Sequence, residues 1–158
     1  MRALVQRVSG ARVSVEGRVA GEIGAGLLVL IGATHADGES ESAWLAEKVA
    51  GLRVFADDAG KMNRDVRETA GACLVVPQFT LYGNARRGRR PDFTAAARPE
   101  QAEPLFEHFC TLLAEQGVRV ERGVFRAHMR VELVNDGPVT LLVQSPGAEP
   151  GNEPEFRA

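Results

Sequence analysis

Cysteine is scarce in this chain of 158 residues: Cys73 and Cys110 are the only two, and they form no C-x-x-C pair. That excludes a disulfide scaffold and a cysteine-built metal site, and a reducing, cytoplasmic setting is the simplest expectation. Long hydrophobic runs are missing too. No apolar stretch is long enough to span a bilayer, and the opening M-R-A-L-V-Q-R-V lacks the apolar core of a signal peptide. Neither sign of charge is in excess. Nineteen Lys and Arg against twenty-one Asp and Glu give a formal charge of −2, which argues against nucleic-acid binding through a globally basic surface but leaves room for a local patch. His35, His108 and His128 show no metal-ligand spacing, and there is neither a G-x-S-x-G elbow nor a G-x-x-x-x-G-K-[ST] phosphate loop. Gly21, Gly24 and Gly26 imitate a phosphate cradle only superficially, because a strand rather than a helix follows them.

What remains is an ordinary globular composition, long enough for one domain with a real core. Residues 3–15 read as a strand or bent strand pair with period-two alternation, Glu16-Gly17 as a hairpin turn, and residues 18–23 as the returning strand. Residues 27–31, L-L-V-L-I, have the continuous apolar pattern of a strand buried on both faces. A first helix enters through the polar residues 37–42, with Leu45, Val49 and Leu52 on one stripe. Residues 57–71 read as an exposed excursion, and residues 73–76 as a strand running into P-Q-F-T-L. Residues 99–116 form the clearest helix, with Gly117 beyond its end. Val124-Phe125 and residues 129–134 are strand material, followed by a last strand at 139–143. His108 is expected to be a partly exposed helix residue. The Pro-, Gly- and Glu-rich segment 146–158 is expected to be disordered. The fold expectation is α/β: a single domain, 1–145, with a mostly antiparallel or mixed, barrel-like sheet and two main helices.

Three features carry candidate chemistry. The stretch 134–142, V-N-D-G-P-V-T-L-L, reads first as a hairpin turn; its functional reading is that Gly137-Pro138 presents bare backbone to a ligand. Thr80 is the hydroxyl at the end of an apolar strand, beside Gln78 and Phe79. It is either a nucleophile or hydrogen-bond partner near backbone N–H groups, or simply a strand residue next to a core Phe79. Arg86, Arg87, Arg89 and Arg90 crowd one loop, and their planar forks suit phosphate or RNA. Arg7, within the first strand, points to solvent or reaches a neighbouring carbonyl.

Taken together, M-R-A-L-V-Q-R-V, G-L-L-V-L-I-G, L-A-E-K-V, G-K-M-N, Q-F-T-L-Y, G-R-R-P-D-F, G-V-F-R-A-H-M and N-D-G-P-V-T resemble D-aminoacyl-tRNA deacylases over residues 1–145. The resemblance implies a homodimer that hydrolyses the ester joining a D-amino acid to the 3′ end of tRNA, and also accepts glycyl-tRNA mischarged on tRNA-Ala. It implies that Gln78, Phe79 and Thr80 line the catalytic pocket. Gly137-Pro138, as a cis peptide, would enter the partner subunit's pocket and reject L side chains, with Arg7 holding that segment and Met129 beside the substrate. Backbone N–H groups near Phe79 and Thr80 would bind substrate while the terminal adenosine's 2′-hydroxyl assists water. Thr80 then becomes an orienting residue. The four arginines would contact the tRNA backbone. No metal or organic cofactor, no DNA and no membrane are implied.

Three positions depart from the family's usual pattern. Pro77 stands for Ser, Arg126 for Gly, and Asp92 for Ser. A sister branch that edits a mischarged L-amino acid also carries Pro before the Gln, but with Ala at the position of Phe79 and Thr-Asn-Gly-Pro in place of residues 135–138. Phe79 and N-D-G-P keep this chain on the D-specific side. The remaining alternative is an RNA-binding module without turnover.

Overall fold

A computed structural model describes residues 1–86 and 88–147. Strand β1 (Arg2–Val15) organises the sheet because it is long enough to serve three partners. Its first half pairs antiparallel with β3 (Gly26–Gly32), its second half with β2 (Arg18–Ile23), and its whole length with β8 (Met129–Gln144). Glu16 and Gly17, both at positive φ, make the two-residue hairpin between β1 and β2. Beyond β3 the sheet continues with β6 (Ala72–Pro77) and β7 (Arg119–Arg122), both parallel to it. The chain reaches β6 through helix α1 (Glu39–Ala50), and reaches β7 through helix α2 (Pro99–Glu115). The sheet curls until β2 meets β7, giving a nearly closed, barrel-like sheet. A Cβ at Gly21 would lie 3.0 Å from both the Arg122 carbonyl oxygen and Leu74 Cδ1, so the closure requires a residue without a side chain there.

Period-two alternation sorts the apolar residues between two cores. Leu27, Val29 and Ile31 of β3 and Cys73 and Val75 of β6 face the helices, joining Leu45 and Val49 of α1 with Leu105, Phe106, Phe109 and Leu113 of α2. Leu28, Leu74 and Val76 instead fill the inside of the curled sheet with Val8, Val13 and Ile23. The two helices are tied where Ser42 Oγ donates to the Leu105 carbonyl oxygen at 3.2 Å and meets His108 Nδ1 at 3.1 Å. Pro99 sits in the first turn of α2, where a missing N–H costs little, and Gly117 at φ 83° follows the helix end.

Several local expectations change. The stretch 134–142 is not a hairpin turn. Both flanks pair with the same strand, Asn135 opposite Val8 and Thr140 opposite Gln6, so residues 136–139 bulge out of one continuous β8. The Asn135 side chain closes the bulge by accepting from the Val139 N–H at 2.8 Å and donating to the Val139 carbonyl at 3.2 Å. Val124-Phe125 lies in a turn, and the strand is Arg119–Arg122, whose polar alternation hid it. Leu52 falls beyond α1, which stops at Gly51. Residues 57–71 are not wholly exposed: β4 (Phe55–Ala56) and β5 (Met62–Arg64) form a small ribbon, and Val66 is fully buried. Of the segment 146–158, residues 148–158 lie outside those described.

Candidate active site

Strand β6 ends at Pro77, and the chain turns at once into a short 3-10 turn, Phe79–Tyr82. Gln78 N–H donates to the Ile31 carbonyl at 2.7 Å, carrying the β3–β6 ladder one step past the proline. The turn begins with Leu81 N–H donating to the Gln78 carbonyl at 3.3 Å. By construction the N–H groups of Phe79 and Thr80 then have no acceptor within the turn. Arg2 holds the turn from beneath. It is 4% exposed, donates from Nη1 to the Leu81 carbonyl at 3.1 Å, and stacks 4.5 Å from the Tyr82 ring centre.

Phe79 is not core. It is 56% exposed and meets Phe93 edge-on, with ring centres 5.3 Å apart. The Thr80 hydroxyl accepts from the Gln78 side-chain amide, a donor rather than a base. A nucleophilic hydroxyl needs a proton acceptor at hydrogen-bond distance, and Gln78 does not supply one.

In front of this turn opens a cleft of about 600 Å³. Pro77, Gln78 and Phe79 form one wall, Phe93, Ala97 and Phe106 another, and Phe125, Arg126, His128 and Met129 the third. The third wall is pinned by Gly123, whose N–H donates to the Val75 carbonyl at 2.8 Å; a Cβ there would lie 2.9 Å from Met129 Sδ. Met129 Sδ also accepts the Val124 N–H at 3.3 Å. Among the described residues no aspartate or glutamate lines the cleft, and no cluster of His, Cys, Asp and Glu could hold a metal.

Gly137 and Pro138 lie elsewhere. Their peptide bond is cis, and Gly137 has φ 140°. Arg7 clamps the segment, with Nε donating to the Asp136 carbonyl at 2.9 Å and Nη1 to the Val54 carbonyl. A Cβ on Gly137 would come within 3.0 Å of Arg7 Nη2 and within 2.8 Å of Val139 Cγ2. Neither residue lines the cleft. Ala3 is the β1 residue level with Ile31 and Pro77, and Arg7 is four residues further along, a displacement of ~13 Å.

The arginine loop springs from the rim of the cleft. Asn84 and Asp92 exchange backbone hydrogen bonds of 2.7 and 2.9 Å at its base, and Phe93 follows directly. Arg86, Arg89 and Arg90 are exposed, and none forms an ion pair among the described residues; Arg87 lies outside them. The Asp92 carboxylate turns back onto Thr94, accepting its N–H at 2.8 Å and its hydroxyl at 3.0 Å.

The family described as D-Tyr-tRNA(Tyr) deacylase matches residues 4–144 of this chain. The chain belongs to that family. It is similar to the D-aminoacyl-tRNA deacylase of Symbiobacterium thermophilum, with 61% identity over 145 residues, 92% of this chain and 96% of the relative. The D-aminoacyl-tRNA deacylase of Thermus aquaticus is 57% identical over 152 residues, 96% of this chain and 99% of the relative. Among solved structures, a c-Myc DNA Unwinding Element Binding Protein superposes with a TM-score of 0.86 at 39% identity, covering 92% of this chain and 99% of its own. A probable eukaryotic D-amino acid tRNA deacylase shares the fold, with a TM-score of 0.77 at 17% identity over 90% of this chain and 97% of its own.

In this deacylase-family chain the fold gathers Gln78, Phe79 and Met129 around one cleft, with Thr80 in the turn at its edge. It places Arg7, Gly137 and Pro138 in a second cluster. Sequence reasoning passed over Arg2, Phe93 and Phe125. Arg2 carried a faint signal as a cation inside a buried strand; the two phenylalanines carried none, because their roles come from contacts across the fold.

Proposed function

We propose that the chain hydrolyses the ester of D-aminoacyl-tRNA, releasing tRNA and the D-amino acid, and that it also clears glycyl-tRNA mischarged on tRNA-Ala. The observation that carries this reading is the Phe79–Tyr82 turn. Its first two N–H groups have no acceptor within the turn, which borders a cleft lined by no carboxylate among the described residues. Such a site is suited to binding and stabilising developing negative charge through fixed backbone donors. Catalysis then rests on positioning, with the substrate's 2′-hydroxyl assisting water, and requires neither metal nor organic cofactor. The 2′-hydroxyl also confines the activity to RNA-borne esters.

Chiral rejection is assigned to the cis Gly137-Pro138 segment, whose bare backbone leaves no room for an L side chain and tolerates glycine. Because this segment lies away from its own chain's cleft, it serves a second copy. Support comes from β8, which pairs only with β1 among the described strands and exposes Leu133, Val134, Leu141 and Leu142. An apolar strand of that length with a free edge calls for a partner. The working form is accordingly a homodimer acting on charged tRNA in the cytoplasm, with the arginine loop contacting the tRNA backbone.

Single-turnover deacylation of D-tyrosyl-tRNA beside L-tyrosyl-tRNA tests the reading. Rapid loss of the D-ester alone is the expected result. Cleavage of both esters removes the chiral role of Gly137-Pro138, and faster cleavage of an L-threonyl ester points to the sister editing activity. A second reading, nucleic-acid binding without turnover, is favoured by the arginine loop and by the name of the 39%-identical solved relative. Tight tRNA binding with neither ester cleaved would establish it.

A further inference from the structure

Arg126 combines three properties that belong together only if its side chain has work to do. Its backbone sits at φ 62°, one of three non-glycine residues in the positive region among those described. Ala127 N–H donates to the Val124 carbonyl at 3.3 Å, which makes Arg126 the third residue of a tight turn. A positive φ at that position favours Gly or Asn, since a Cβ crowds the following carbonyl. The turn is also anchored, because Phe125 packs against Phe106 of α2 with ring centres 6.2 Å apart. An unfavourable backbone held by its surroundings is a reason to look for a role in the side chain.

The side chain's surroundings supply that role. Among the described residues, Arg126 and His128 are the only ones with an ionisable side chain on the cleft wall. It is exposed, and it has neither an ion pair nor a side-chain hydrogen bond among the described residues. A free guanidinium facing a carboxylate-free, largely apolar cleft fits one chemical group well, a phosphate diester held bidentately.

We propose that Arg126 is a positioning residue that grips the phosphodiester flanking the ester-bearing terminal nucleoside, fixing the ester against the Phe79–Thr80 backbone. The assignment rests on the deacylase reading. It is separate from the arginine loop, which rises from the rim by Asn84 and Asp92 while Arg126 sits on the wall formed by residues 125–129.

Two model substrates test it: D-tyrosyl-CpA, which carries one phosphodiester, and D-tyrosyl-adenosine, which carries none. Arg126→Gly removes the guanidinium and relieves the backbone at once, so its melting temperature is expected to hold or rise, and a lost function cannot be charged to strain. The expected result is a KM increase for D-tyrosyl-CpA at least ~3-fold larger than for D-tyrosyl-adenosine. The wild-type advantage on D-tyrosyl-CpA should shrink as salt rises from 50 to 200 mM, because added ions screen a guanidinium–phosphate contact. Arg126→Lys, which keeps the charge but not the fork, should restore only part of the difference. Equal losses on both substrates, or none on either, overturn the proposal. If the wild type cleaves neither ester, the deacylase reading fails. Fluorescence anisotropy with a labelled CCA-ended RNA then decides for Arg126 alone: weaker binding by Arg126→Gly supports a phosphate contact, and equal binding overturns it.

Discussion

Arg7 Nε donates to the Asp136 carbonyl oxygen at 2.9 Å, joining the middle of the first strand to the residue just before Gly137. The same guanidinium reaches the Val54 carbonyl, so one side chain ties the β8 bulge to the segment just ahead of β4. Lysine cannot reproduce this fork, since its ammonium is a point charge on a flexible stem. Arg7→Lys is expected to lower deacylation of D-tyrosyl-tRNA by ~10-fold, through loss of orientation in the Gly137-Pro138 segment. Asp136→Ala should matter far less, because the contact is to its backbone; its exposed carboxylate lies 3.5 Å from Arg7 Nε. Gly137→Ala, whose Cβ has no space, should cost more than Arg7→Lys. Steady-state kinetics beside thermal melts separate these outcomes from unfolding, and an Asp136→Ala defect equal to Arg7→Lys would contradict the backbone assignment.

Thr80 looks like a nucleophile only by its residue type. Its hydroxyl is engaged by the Gln78 amide and makes no hydrogen bond to a base among the described residues. Thr80→Ala is expected to keep activity within about 3-fold of wild type, whereas removal of an essential nucleophile costs on the order of 10⁴-fold or more. A loss of that size in a folded variant would restore a covalent mechanism.

The arginine loop should act through charge. Arg86→Glu together with Arg90→Glu is expected to weaken tRNA binding by ~10-fold or more at 50 mM salt and to flatten its salt dependence. Filter binding across a salt series reads both effects. Unchanged binding would leave the loop without that role.

Val134 is 63% exposed on β8, so a charge there costs the isolated fold little. If β8 is the dimer edge, Val134→Glu should shift light scattering from dimer to monomer and abolish deacylation together. A wild-type protein that scatters as a monomer would overturn the shared-site arrangement.

Cys73 and Cys110 are buried, and burial pushes both thiols up to about 12. An unfolded thiol titrates near ~8.5, so each raised thiol contributes stability that is fully present below that value and is lost as pH rises toward the folded one. The folded protein should therefore resist alkylation at pH 8, where its thiolate fraction is negligible, and both residues should react on unfolding. Rapid native-state labelling of either would contradict their burial.

Apart from β7, the β4–β5 ribbon and the continuity of β8, the order of strands and helices was legible in the sequence because local physics writes it there. Alternation marks β1 and β2, a continuous apolar run marks β3, and a 3.6-residue stripe capped by Pro99 and Gly117 marks α2. Chemistry at the single-residue level was less so. By residue type alone Phe79 read as a core residue, yet its ring lines a cleft, because strand β6 ends at Pro77 and Phe79 opens the turn that follows. Residues 134–142 have the composition of a hairpin turn, and composition cannot say whether the flanks pair with each other or with a third strand; pairing with β1 made a bulge. By itself the sequence determined which residues seek burial, where the backbone turns and which loop is basic, since these follow from side-chain chemistry and spacing. Only the tertiary structure decided that Arg7 meets Asp136, that Arg126 faces the Phe79 cleft, and that Gly137-Pro138 stands apart from it. Those relationships join residues far apart in the chain, and they exist only once the curled sheet has fixed its register.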